Sequence, residues 1–127
     1  MQVSNLATLN VEVDGLGSIV IVKDLGDVPG GRTLDVSGVA SGTTALKAGH
    51  VIIYKSADDS YAPLGVSGTA YATLPSGYAY AGVLKADVAV ADPRAAILTI
   101  GQVNAAASPY AVTTAIKEGL PHIQFIY

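Results

Sequence analysis

Short apolar runs separated by turn residues constrain the fold of this chain more than any other feature. Runs rich in β-branched and aromatic residues occupy 51–54, 78–84 and 95–100, and segments of turn composition at 56–60 and 87–94 follow two of them. Such runs predict short strands joined by tight connections. The pattern therefore indicates a mainly β chain that folds as a compact barrel or sandwich.

The first part of the chain differs from the rest. Apolar and polar residues alternate over 9–13, and 19–23 is a second apolar run that predicts a strand. Glycines and a proline are concentrated in 24–32, which predicts a loop or hinge. The sequence thus predicts an N-terminal arm or hairpin over residues 1–31, attached to a β-rich domain over 32–127.

A β-hairpin is predicted over residues 50–64. The apolar run at 51–54 is followed by the turn residues Ser56 to Ser60 and by a return segment that contains Pro63. Proline lacks a backbone N–H, so Pro63 is expected at the edge of a sheet or at a strand end.

One helix and a last strand are predicted near the C-terminus. Ser108 can cap a helix over 109–119, whose apolar face carries Ile116 and Leu120 at helical spacing. Alternation then resumes over 123–127, which predicts a final strand. The helix is short enough to depend on tertiary packing for its stability.

Composition limits the kinds of partner. Hydrophobic residues make up 50% of the chain, charged residues 13%, and the net charge is −3. Lysines and arginines occur singly, so no basic stripe favours nucleic acid, and no apolar run has the roughly 18 to 20 residues that a membrane helix needs. The chain starts without a basic segment followed by an apolar one, and we expect synthesis in a cytoplasm without export. The apolar excess favours a contact with another protein subunit.

Candidate catalytic groups are few. The chain has no cysteine and two histidines, His50 and His122, neither with a carboxylate near it in sequence. Asp58 and Asp59 have the position of solvated residues in a hairpin turn, although a pair of acids can also bind a hard cation. Gly15-Leu16-Gly17 lacks the third glycine of a dinucleotide-binding loop, since position 20 is Val20. We therefore expect a binding or structural module with no cofactor, no metal and no enzymatic activity.

Tyrosine is the most informative aromatic residue, with seven copies against one phenylalanine and no tryptophan. Tyrosine combines apolar area with a polar tip and is common at subunit contacts, although Tyr54 and Tyr61 are explained equally well as core residues. The candidate residues for a subunit interface are Tyr78, Tyr80, Tyr110 and Tyr127.

Five segments in a fixed order carry a resemblance to a known family. They are Leu46-Lys47-Ala48-Gly49-His50-Val51, Tyr61-Ala62-Pro63-Leu64, Ala81-Gly82-Val83-Leu84, Gly101-Gln102-Val103-Asn104 and Leu120-Pro121-His122-Ile123. Over about residues 32–127 the chain resembles the head decoration, or capsid cement, proteins of tailed double-stranded DNA phages. No single segment is distinctive, but their order and spacing together make the resemblance moderately specific.

The resemblance implies a structural protein. It implies a small β-barrel or β-tulip-like domain with one or two short helices, assembled as a homotrimer on the outer surface of the phage head, where it binds the major capsid protein. The protein would be made in the cytoplasm of the bacterial host. In this family the N-terminal arm often adds a strand to the shell protein, and the alternating apolar residues here suit that role. The candidate capsid contacts are Val3, Leu6, Leu9, Val11 and Val13.

Two other functions stay open at this level. The chain could serve as another phage structural module, such as a head-fibre base or a tail adaptor, with the same trimeric β domain and a different attachment point. A small enzyme that uses His50 or His122 is the less favoured alternative.

Overall fold

In a computed structural model the chain is described over residues 20–28, 31–39 and 42–126. These residues form twelve strands, one 3₁₀ turn and one α-helix. In chain order they are β1 (Ile21–Asp27), β2 (Arg32–Thr33), β3 (Ala45–Leu46), β4 (Val51–Lys55), β5 (Ser60–Pro63), β6 (Val66–Ser67), β7 (Ala70–Tyr71), β8 (Tyr78–Leu84), β9 (Val88–Ala89), β10 (Arg94–Ala95), β11 (Ile97–Asn104), the 3₁₀ turn (Ala105–Ala107), α1 (Thr114–Gly119) and β12 (Ile123–Ile126).

One six-stranded sheet organises the fold, so the prediction of a mainly β chain is confirmed. Its antiparallel part runs in the order β1, β11, β8, β4, β5, and β12 pairs with β11 in parallel. The pairs β2 with β10, β3 with β9 and β6 with β7 form three separate ribbons. The strands of the described ranges make an open sheet and no closed barrel.

The hairpin predicted over 50–64 is confirmed. Strands β4 and β5 pair in antiparallel register from Ile52 opposite Pro63 to Lys55 opposite Ser60. Pro63 is the last residue of β5, which ends the strand order of the sheet. A residue without an N–H therefore lies at a sheet edge and at a strand end, as expected.

The sequence prediction is wrong for residues 24–27, which belong to β1 and not to a loop. Asp24 lies opposite Gly101 and Asp27 opposite Leu98, and the register shifts on both sides of Gly26. Such β-bulges allow a glycine-containing segment to follow a neighbouring strand. The predicted arm over 1–31 thus includes a strand of the main sheet, while its alternating part lies outside the described residues.

The helix is shorter than predicted, and its N-cap is not Ser108. It covers Thr114–Gly119, and the Thr113 hydroxyl accepts a hydrogen bond from the Ile116 amide at 3.3 Å. Ser108 instead follows the 3₁₀ turn and donates its backbone N–H to the Ala105 carbonyl. The 3₁₀ turn is capped by Asn104 and ends at Ala107, and residues 109–113, predicted as the first part of the helix, are not helical.

The central strands are buried on both faces of the main sheet. Val51 and Ile53 of β4 belong to one core cluster, together with Ile116 of α1, whereas Ile52 between them belongs to a second cluster with Leu46 of β3. Successive residues of a strand point to opposite faces. Continuous apolar runs, rather than alternating ones, are therefore what this sheet requires.

Candidate functional site

Three large apolar residues on β1 and β11 are exposed. Val22 and Leu25 of β1 and Ile100 of β11 keep 41%, 61% and 44% of their surface accessible. Gly26 lies directly opposite Ile100, and a Cβ atom on this glycine would be 3.3 Å from the Ile100 Cδ1 atom. Exposed large apolar side chains on an outer pair of strands are candidate contacts for another protein, and these three residues are called the apolar patch below.

An ionic contact holds β1 against the rest of the domain. The Lys85 ammonium group contacts the carboxylates of Asp24 and Asp27, the latter at 2.6 Å. Its hydrogen bonds to Asp24 and Asp27 raise the pKa of Lys85, so Lys85 keeps its positive charge at neutral pH. This contact fixes the position of the strand that carries the patch.

His50 lies at the entry of β4 and is 5% exposed. Its Nε2 atom is 2.8 Å from the Leu64 carbonyl oxygen, which can only accept, so Nε2 carries the proton. The rings of Tyr71 and Tyr110 meet it edge to face at 5.3 and 5.9 Å. His50 is thus a packed structural residue beside two aromatic rings.

Burial lowers the pKa of His50 below its usual 6.5, and the hydrogen bond to Leu64 only partly opposes this shift. The unfolded chain then binds a proton that the folded chain does not. The free energy of unfolding therefore keeps its full value above the pKa that His50 has in the unfolded chain. As the pH falls below that pKa, the free energy of unfolding decreases by at most about 1.4 kcal/mol per pH unit.

A groove of about 700 Å³ runs beside His50. Members of both core clusters line it, among them Leu46 and Leu64, and Tyr78 and Tyr110 also contribute. Lys47 lies on its wall and makes an ion pair with Asp87 at 3.6 Å. The groove offers mainly apolar surface and no cluster of charges.

The two acids of the β4–β5 turn are exposed and contact different partners, so their prediction as solvated turn residues is confirmed. Asp58 pairs with Lys55 at 3.2 Å. Asp59 accepts a hydrogen bond from the Tyr54 hydroxyl at 3.0 Å and forms an ion pair with Arg32. The hydrogen bond from Tyr54, followed by the contacts with Arg32, lowers the pKa of Asp59. These acids organise the turn and do not converge on a shared cation position.

The predicted interface tyrosines are partly buried within one chain. Tyr78, Tyr80 and Tyr110 all pack against the core cluster that contains Ile116, while Tyr127 lies outside the described residues. Their role in a subunit interface stays a prediction. The five candidate capsid contacts, Val3, Leu6, Leu9, Val11 and Val13, also lie outside the described residues.

The exposed patch was not predicted from the sequence. Leu25 lies in the segment that was predicted to be a loop, so its apolar side chain had no assigned face. The triplet Val22, Leu25 and Ile100 follows neither the period of a helix nor that of a strand. Only the pairing of β1 with β11 places Ile100 opposite Gly26, the neighbour of Leu25 in the chain.

Comparisons of the chain with protein-family models, with curated proteins and with solved structures gave no match. Within the described ranges, His, Asp and Glu side chains nowhere gather in a group of three or more that could hold a metal ion. None of the helices in that part of the chain has the length and apolar character needed to span a membrane.

Proposed function

We propose that this protein is a structural component of a phage particle, which binds the outer surface of the assembled head as a homotrimer and stabilises it. The observation that carries the proposal is that Val22, Leu25 and Ile100, large apolar residues on the β1–β11 pair of a mainly β domain, are exposed. The five segments that resemble decoration proteins lie in or beside the strands of the described domain.

The stabilising mechanism is linkage. A protein that binds only the assembled shell lowers the free energy of that state, and many equivalent sites on one particle add their effects. Three arms on one trimer bind together and gain avidity. Apolar contacts suit this role because they do not weaken with salt as charged contacts do.

The N-terminal segment is the proposed contact with the major capsid protein, through Val3, Leu6, Leu9, Val11 and Val13. Ten extended residues span roughly 33 Å at about 3.3 Å per residue. An arm of this length can reach from a trimer to a neighbouring capsid subunit and add a strand to an exposed sheet edge. The protein would be located on the outside of the head, after synthesis in the cytoplasm of the host, with no need for contact with DNA or membrane.

A structural role agrees better with the surroundings of His50 than a catalytic one does. Its proton is directed to the Leu64 carbonyl oxygen and its ring is enclosed by Tyr71 and Tyr110. A general base is normally oriented by a carboxylate and open to its substrate. His122 lies at the start of β12 and is exposed.

The first test is the solution mass of the purified protein. Sedimentation equilibrium should give about three times 12.8 kDa over a wide concentration range. A stable monomer would contradict the proposed assembly.

The second test is electron microscopy of particles. Heads that lack the protein are mixed with the purified chain, and added density is expected at threefold and quasi-threefold positions. Leu25→Ser should reduce occupancy or trimer formation, while Val66→Ser, which alters an exposed apolar residue on β6, serves as the matched control. Density at a fibre base or in the tail would instead assign the chain to another structural module.

A further inference from the structure

Strand β1 carries two exposed apolar residues at irregular positions of its pairing. Val22 and Leu25 are both exposed, and each is an extra residue at a register shift between β1 and β11. A β-bulge interrupts the ladder and re-aims the side chain of the extra residue. At these two bulges β1 therefore presents apolar surface on the outside of the described domain. Residues 22–27 are called the β1 strip below.

The charges of the β1 strip do not balance within the described chain. Lys85 contacts both Asp24 and Asp27, so one ammonium group faces two carboxylates. Lys23 is exposed and makes no ion pair with any described residue. The strip thus carries an excess negative charge and, a few residues away, a positive charge that no described carboxylate neutralises. A second copy of the chain supplies the opposite charge to each of them, so the strip is complementary to itself.

We propose that the β1 strip is the contact between subunits of the trimer, an inference that rests on the proposed homotrimer. Leu25 is the most exposed large apolar residue of the described ranges. It lies nearest the threefold axis and packs against the same residue of the other two subunits. Lys23 of each subunit forms an ion pair with the partner's Asp27.

The spacing of the residues along β1 fits a threefold arrangement. Leu25 is two positions from Lys23 and two from Asp27, so each charge lies about 7 Å from the leucine along the strand. Three strands placed head to tail around an axis, each with its middle residue closest to the axis, bring the first half of one strand beside the second half of the next. Such a head-to-tail contact closes into a ring.

The arrangement has the usual anatomy of a protein interface, with an apolar centre and a polar rim. Three copies of Leu25 form the centre, and three ion pairs between Lys23 and the partner's Asp27 form the rim. The apolar patch is then used between subunits, and contact with the head falls on the N-terminal segment. Leu25→Ser would therefore reduce head occupancy only through its effect on the trimer.

A single introduced cysteine tests the position of Leu25, because the natural chain has no cysteine. Leu25→Cys is oxidised with glutathione disulfide as the full-length protein. Around a threefold axis, two of the three thiols should join and the third should stay free. Non-reducing gels should show linked pairs together with single chains and no larger species. Val66→Cys, at an exposed apolar position on β6, should give single chains alone.

Sedimentation equilibrium measures the contribution of the β1 strip to assembly. Leu25→Asp and Lys23→Glu should each raise the dissociation constant of the trimer at least tenfold, because they bring like charges together at the axis and beside the partner's Asp27. The matched controls Val66→Asp and Lys117→Glu change exposed residues outside the strip and should leave the constant unchanged. Circular dichroism checks that all four variants keep the fold.

Three results would overturn the inference. If the natural protein and Leu25→Asp are equally stable trimers and Leu25→Cys gives no linked pairs, the trimer uses another surface and the proposed homotrimer stands without this contact. Complete conversion of Leu25→Cys to linked pairs, with the mass of a dimer, would show a twofold contact and contradict both proposals. A natural protein that stays monomeric would also contradict both.

Discussion

Replacement of Ile116 by alanine should destabilise the protein by about 3 kcal/mol. Ile116 is 1% exposed and is the buried residue of α1, a helix of six residues that cannot be stable alone. Truncation of a buried isoleucine to alanine costs about 2–5 kcal/mol, through lost burial and the cavity that remains. Because domains of this kind have a total stability of about 5–15 kcal/mol, the loss is a large fraction of it.

Thermal and urea unfolding followed by circular dichroism measure this loss. The melting temperature should fall by roughly 12 °C, at about 4 °C per kcal/mol for a domain of this size. Ile116→Val should cost about 1 kcal/mol, and Lys117→Ala on the exposed face of the same helix should change stability by no more than about 0.5 kcal/mol. If Ile116→Ala unfolds within about 0.5 kcal/mol of the natural protein, α1 does not contribute to the core as described.

Three further perturbations have definite expected outcomes. Gly82→Ala should unfold the domain or cost more than about 3 kcal/mol, because a Cβ atom there would overlap the Leu98 carbonyl oxygen of β11. A Cβ atom at Gly38 would meet no described atom within 4 Å, so Gly38→Ala should be neutral in urea unfolding. The free energy of unfolding should decrease between pH 7 and pH 5 because His50 is buried and its pKa is lowered. His50→Gln should reduce this pH dependence, whereas His122→Gln should preserve it. Equal pH profiles for the two variants would contradict the role given to His50. Lys85→Met should increase the hydrogen-exchange rates of the β1 amides, because it removes the ion pairs with Asp24 and Asp27. The difference in these rates from the natural protein should become smaller but stay measurable at high salt, since salt screens exposed ion pairs.

Local signals determined which elements could be predicted. The β4–β5 hairpin has an apolar run, a polar turn and a proline in the return strand. These neighbouring residues were enough to predict the hairpin. Strand β8 was also predicted with its observed bounds, from Tyr78 to Leu84. The residues next to each of these elements in the sequence indicate where the element begins and ends.

Elements that depend on distant partners could not be predicted in the same way. The second half of β1 contains Gly26 and two aspartates, a composition typical of a loop. Its strand conformation comes from pairing with β11, more than seventy residues later in the chain, and from the contact with Lys85. The helix boundary was misplaced for a similar reason, because Tyr110 packs against His50 and Tyr71 before the helix starts.

The candidate site was less accessible to sequence reasoning than the fold. The high apolar content was interpreted as evidence for a partner. However, the central strands bury apolar residues on both faces of the sheet within one chain, and this burial accounts for much of the apolar content. Among the described residues, the large apolar side chains that stay exposed are Val66 of β6 and the patch of Val22, Leu25 and Ile100. Its position follows from tertiary pairing, and no residue pattern within 21–27 indicates it.

The pairing of β11 with both β1 and β12 has a practical consequence for protein engineering. Val20 and Ile126 lie on either side of Asn104, so both ends of the described sheet leave the domain at the same place. A short linker between them and new termini in the exposed turn at Ser56 to Asp59 would give a circular permutant with the sheet order unchanged. Peptides displayed from such new termini would project from the far end of the β4–β5 hairpin.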